Sequence, residues 1–188
     1  MKTGILAGAF NPLTRAHVAL ADAARTAVDE IVCVLPRSYP HKEFHGASLD
    51  QRIEMLRMTR SFDRIEVTEG GLFIDIAREL RGAQPESELY FICGRDAAER
   101  VLTWDYGQPG AIDRMLEEFH LLVASRQGRL DPPPHLPERV HALDVSADLD
   151  EVSSTEVRRR IASGESWEHL VPDRITDLVR RIYSAAPG

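Results

Sequence analysis

The chain begins with a strand that turns directly into a helix. Ile5-Leu6-Ala7 is a short apolar run of the kind a buried strand needs. The run breaks at Gly8, crosses a loop containing Asn11-Pro12, and enters an alanine-rich helix near Thr14 (Ala16, Ala19, Ala21, Ala23, Ala24, Ala27). Backbone N–H groups converge at such a junction and the helix dipole favours negative charge there, so the passage is an anion site. His17 follows three residues after Thr14, which on a helix places both side chains on one face, able to point back over the loop. An imidazole and a hydroxyl beside a phosphate-sized nest suit phosphoryl chemistry better than hydride transfer. No G-x-G-x-x-G and no G-K-[ST] occurs here, which excludes the standard dinucleotide and P-loop arrangements. Taken singly, Thr14 serves equally as an N-cap and His17 as an ordinary helix histidine. The complete string G-x-F-x-P-x-T-x-x-H across residues 8–17 sets them apart.

The alternation continues down the chain. Glu30–Leu35, Ile65–Val67, Glu88–Cys93, His120–Ala124 and Val140–Val145 read as further strands. Ser48 and Gln51 form a capping box that opens a helix to about Phe62, with Ile53, Leu56 and the methionines inward and Arg52 and Arg57 on the surface. Further helices are expected over Leu72–Arg81, Ile112–Glu118 and Asp173–Tyr183, with Trp167 packing before the last. The loop after Pro36 carries His41, Lys42 and His45 at a strand's C-terminal end, where open α/β sheets bind ligands, although such a loop is also an ordinary solvated surface. Lys42 stands out because Lys2 is the only other lysine. Gly94-Arg95-Asp96 is a second sharp strand-to-helix junction; an aspartate there either caps the helix or accepts ribose hydroxyls. Trp104 is open between core packing and a ligand contact.

Near the far end, Ser153-Ser154-Thr155-Glu156-Val157-Arg158-Arg159-Arg160 opens another helix, with Ser153 and Glu156 as a capping box. Consecutive hydroxyls at a helix N-terminus add donors for an anion, and Arg158, one turn beyond Thr155, can clamp phosphate oxygens. Arg159 and Arg160 read as surface. A net charge of −7 argues against a general nucleic-acid binder, so an anionic nucleotide would need local positive charge. No apolar run approaches the ~20 residues of a membrane span. The absence of a basic-then-apolar leader makes the cytoplasm the expected location. Cys33 and Cys93 lack C-x-x-C spacing and read as small core residues.

Gly8 to His17 resembles the [H/T]-x-x-H signature of the nucleotidylyltransferase superfamily, and Val152-Ser153-Ser154-Thr155-x-x-Arg158 resembles its second signature, I-S-S-T-x-x-R. Between them Pro40-His41-Lys42 and Gly94-x-Asp96…Trp104 resemble, in order, segments of bacterial nicotinate mononucleotide adenylyltransferases. The resemblance covers essentially the whole length. It implies an α/β fold with a Rossmann-like open, mostly parallel sheet, helices on both faces and a small C-terminal helical part over about 153–188, all in one domain, 1–188.

The resemblance further implies transfer of AMP from ATP to a phosphorylated small-molecule acceptor, with release of pyrophosphate. His17, Thr14, Lys42 and Arg158 are the implied catalytic residues. ATP is expected against Gly8, Ala9, Phe10, His17, Gly94, Asp96, Ser153, Ser154, Thr155 and Arg158, and the acceptor against Lys42, Phe73 and Trp104. No carboxylate cluster suggests a protein-made metal cage, so Mg²⁺ is expected to arrive with the triphosphate. The family's acceptor-reading S-Y-T-x-D-T-L segment falls on Gly71–Ala77, where Leu72 and Phe73 replace its Tyr and Thr. The acceptor is therefore open between nicotinate mononucleotide, nicotinamide mononucleotide and another such as phosphopantetheine. A nucleotide-binding sensor without catalysis is the reading from another class. Neither nucleic acid nor membrane is an expected partner, and homo-oligomerisation is left open.

Overall fold

A computed structural model describes residues 1–38, 46–103, 107, 109–124, 137–145, 149 and 151–184. Six strands form one sheet: β1 (Lys2–Ala7), β2 (Glu30–Pro36), β3 (Arg64–Thr68), β4 (Glu88–Gly94), β5 (His120–Ala124) and β6 (Val140–Leu143). Their order is β3-β2-β1-β4-β5-β6 and every neighbouring pair is parallel. Successive side chains alternate between the two faces. Leu6, Ile31, Cys33, Leu35, Ile92 and Leu122 face one layer, packed by α1 (Arg15–Ala24), α2 (Leu49–Thr59), α6 (Ser154–Ser163) and α7 (Thr176–Ser184). Ile5, Val32, Val34, Phe91, Cys93 and Leu121 face the other, packed by α3 (Phe73–Ala83), α4 (Arg95–Thr103) and α5 (Ala111–Glu118). Both cysteines are free and buried, and Trp167 is buried, as the sequence indicates.

The structure corrects the sequence reading at several points. β6 ends at Leu143 instead of Val145, because its partner β5 ends at Ala124, the residue paired with Leu143. α2 stops at Thr59, short of Phe62, because Arg60 turns left-handed at φ 56°. The buried stripe of α2 is Arg52, Met55 and Leu56; Met58 lies to one side of it and is 38% exposed, so it is not core. Arg52, expected on the surface, is buried. Among the described residues no helix is long and apolar enough to cross a membrane.

In this strand order β1 leads outward through β2 and β3, while β4 leads the other way through β5 and β6. The C-terminal ends of β1 and β4 therefore flank the switch point of the sheet, the crevice where open α/β sheets bind ligands. The register Ile5↔Phe91 brings Gly8 and Gly94, three residues further on, level across that crevice.

Candidate active site

The loop between β1 and α1 is built on three features. Gly8 donates its N–H to the Val34 carbonyl at 3.1 Å, carrying the ladder one residue past β1. Phe10 adopts φ 49° and folds its buried ring back over Gly8, where an added β-carbon would lie 3.2 Å from the ring. That ring meets the His17 imidazole edge-on, with centroids 5.0 Å apart. What Phe10 offers an anion is thus its backbone rather than its side chain. The Asn11-Pro12 peptide is cis.

Thr14 is the N-cap of α1 and is fully buried. Its N–H donates to His17 Nδ1 at 3.0 Å, and its hydroxyl lies 2.8 Å from the same nitrogen. A backbone N–H can donate only to an unprotonated nitrogen, so Nδ1 carries the lone pair and the proton resides on Nε2. Thr14 therefore acts by orienting His17 as an Nε2–H donor. This is the reciprocal of a capping box, with imidazole in the place of a carboxylate.

The second signature docks on the first. Ser154 Oγ donates to the Pro12 carbonyl at 2.7 Å, and the Arg158 guanidinium donates to the Asn11 carbonyl while its other nitrogen lies 3.4 Å from Thr155 Oγ1. Ser153 caps α6 by accepting from the Glu156 N–H at 3.1 Å. The capping box expected there is only half made. The Glu156 carboxylate is drawn instead to Arg159 and Arg160, each at 2.7 Å, and Arg159 also grips Glu165. These guanidinium hydrogen bonds hold the Glu156 and Glu165 carboxyls down at about 2.

Gly94 and Asp96 stand at the β4–α4 junction across the crevice. A β-carbon at Gly94 would meet nothing within 4 Å, and Asp96 is exposed in the first turn of α4. Phe73 opens α3; its half-buried ring stacks on Phe91 with centroids 4.3 Å apart and meets Phe119 edge-on. Lys42 and Trp104 lie outside the described residues.

Two further groups shape the loop: Arg52, expected on the surface, and Asn11, which the sequence did not single out as a site residue. Arg52, from α2, donates to the Ala9 carbonyl at 3.0 Å and to its own helix's Ser48 carbonyl at 3.4 Å. The signal was available: residues 52, 55, 56 and 59 form one helical stripe, and an arginine within an apolar stripe needs a buried acceptor. Asn11 is buried, with Oδ1 accepting from the Ala47 N–H at 3.1 Å and from the Tyr183 hydroxyl.

The cytidylyltransferase-like family model matches residues 5–160, a span holding both signatures. A protein of Moorella thermoacetica named a probable nicotinate-nucleotide adenylyltransferase is 32% identical over 95% of this chain and 89% of its own. A protein of the same name from Pelobacter propionicus is 31% identical over the full length of both. The solved nicotinic acid mononucleotide adenylyltransferase of Plasmodium falciparum, complexed with NaAD, shares the fold with a TM-score of 0.73 at 16% identity, over 96% of this chain and 95% of that one. With its docked signatures, its switch-point crevice and these relatives, the chain belongs to the cytidylyltransferase-like family, among the nicotinate-nucleotide adenylyltransferases.

Proposed function

We propose that the protein transfers the adenylyl group of ATP to the phosphate of nicotinate mononucleotide, releasing pyrophosphate, as a step of NAD biosynthesis. The observation that carries this reading is the docking of the α6 N-terminus, with Ser154 and Arg158, onto the loop that presents His17 at the β1/β4 switch point. ATP lies across that loop, with its α-phosphate at His17 and its β- and γ-phosphates at the Ser154, Thr155 and Arg158 end. An oxygen of the acceptor's phosphate attacks the α-phosphorus in line. The bond from that phosphorus to the α,β-bridging oxygen breaks, and pyrophosphate leaves with the bonding pair. No side-chain nucleophile is required; positioning and charge stabilisation supply the catalysis.

In this reading His17 Nε2–H donates to a non-bridging α-phosphate oxygen, and Thr14 keeps it in the donating tautomer. The backbone N–H groups of Ala9 and Phe10 and the Ser153 end of α6 complete the phosphate cradle, while Gly8, whose N–H goes to Val34, shapes it by letting the Phe10 ring fold over it. Gly94 and Asp96 receive the ribose, and Lys42 neutralises charge near the acceptor's phosphate. Phe73, with its ring fixed by Phe91, and Trp104 flank the acceptor ring. Apart from the Asp96 carboxylate, the groups gathered at the crevice are N–H, imidazole, guanidinium and hydroxyl donors suited to anions; Mg²⁺ would enter with ATP as part of that substrate and would offset phosphate charge. The reading takes residues 1–188 as one catalytic unit working in the cytoplasm.

Pyrophosphate release with ATP and Mg²⁺ against nicotinate mononucleotide, nicotinamide mononucleotide and phosphopantetheine tests this. Highest kcat/KM with nicotinate mononucleotide is the expected result. Release with phosphopantetheine alone would overturn the acceptor, and ATP binding without release from any acceptor would overturn catalysis.

A further inference from the structure

Four parts of the molecule meet at Asn11. Its Oδ1 accepts from the Ala47 N–H and from the hydroxyl of Tyr183 on α7, while its main-chain oxygen accepts from Arg158 on α6. Gly46, at φ 112°, makes the meeting feasible: a β-carbon there would lie 2.9 Å from both Asn11 Oδ1 and the Tyr183 ring. Two donors fill both lone pairs of Oδ1, so the carboxamide has one orientation that satisfies its neighbours. Burial pushes the Tyr183 phenol far above its ordinary value, so it remains a proton donor at any working pH.

Tyr183 belongs to neither signature and lies 172 residues from Asn11 in sequence. We propose that Tyr183 is a positioning residue for adenylyl transfer: by holding the Asn11 side chain it sets the peptide whose carbonyl orients Arg158. The C-terminal helix is thereby coupled to the phosphate site. The proposal rests on the reading of Arg158 as a triphosphate ligand. It goes beyond that reading in making α7 a working part of the site rather than only packing.

Tyr183→Phe keeps the ring and its volume and removes only the donor. With a folded variant, kcat/KM for ATP is expected to fall about tenfold, the size of one lost hydrogen bond, while KM for the acceptor holds. Asn11→Ala is expected to lower the same quantity at least as far. In the double variant, Tyr183→Phe is expected to add nothing further, since it acts through a group already gone. A folded Tyr183→Phe with parental kcat/KM for ATP, or an effect that multiplies with that of Asn11→Ala, would overturn the proposal. Equilibrium titration with Mg²⁺–ATP separates the two readings. If the parent protein binds ATP yet turns over no acceptor, the assigned function fails, and the coupling is still decided by whether the ATP affinities of the single and double variants are non-additive.

Discussion

The Thr14 N–H donates to His17 Nδ1, and that contact decides which ring nitrogen can serve a phosphate. Because the backbone supplies one donor, the Thr14 hydroxyl is a second support and not the sole one. Thr14→Val, which keeps the branched shape, is therefore expected to lower kcat by roughly tenfold or less, in line with one neutral hydrogen bond of ~1 kcal/mol. Steady-state kinetics check this; a loss as deep as that of removing the imidazole would mean that the hydroxyl touches substrate. Arg52 makes a different kind of contribution. Arg52→Met strips the Ala9 carbonyl of its donor and is expected to cost about 1–3 kcal/mol in denaturant unfolding. Thr14 and His17 were legible in the sequence because three residues of helix fix their relation. For Arg52 the helical stripe signalled burial but not the partner, because its acceptor lies 43 residues away and only the folded sheet brings Ala9 beneath α2.

α6 carries its information at its first turn. The cap on Ser153 was legible, since a serine three residues before a glutamate at a helix start has few other uses. The reciprocal half of the box was not, because the sequence does not rank the competitors for Glu156, and two guanidinium groups outbid a backbone N–H. Ser153→Ala is expected to cost about 1 kcal/mol of stability by loss of the cap, measured by denaturant titration. The arginine network adds a pH dependence of definite sign. The folded Glu156 and Glu165 carboxyls are depressed from the ordinary 4.5 to about 2. Below about 4.5 the unfolded chain takes up protons that the folded chain refuses. The network's stabilisation is thus present above about 4.5 and is lost as pH falls toward about 2. Glu165→Gln should flatten the acid limb of stability against pH; an unchanged limb would show that this network does not couple to folding.

At the scale of the whole molecule, the strand order joins what the sequence separates. The alternation of apolar runs and helical segments made the layers legible. The meeting of residues 8–17 with 153–158 was suggested only by resemblance, because it depends on where α6 returns after β6. The opposite end of the sheet holds a separate polar cluster. His120, at the start of β5, stacks on Tyr90 with centroids 4.5 Å apart and bonds His141 at 3.1 Å and Arg139 at 2.9 Å. Burial, and then the Arg139 charge, hold its pKa below the ordinary 6.5. As pH falls below about 6.5 the unfolded chain gains a proton before the folded one, so stability drops through this window and is unaffected above it. His120→Gln should reduce that slope in denaturant titrations at pH 8 and pH 5.5. Since β5 runs parallel to β1, His120 and the His17 loop lie at opposite strand ends, and activity is not expected to follow this titration.

The role of His17 in adenylyl transfer is tested by the turnover of His17→Ala with Mg²⁺–ATP and nicotinate mononucleotide, with ATP affinity and unfolding measured on the same sample. The expected result is a fall in kcat of roughly 10²-fold or more, with ATP still bound and the fold intact. Near-normal turnover in that variant would contradict that role, and would remove His17 from the transfer step.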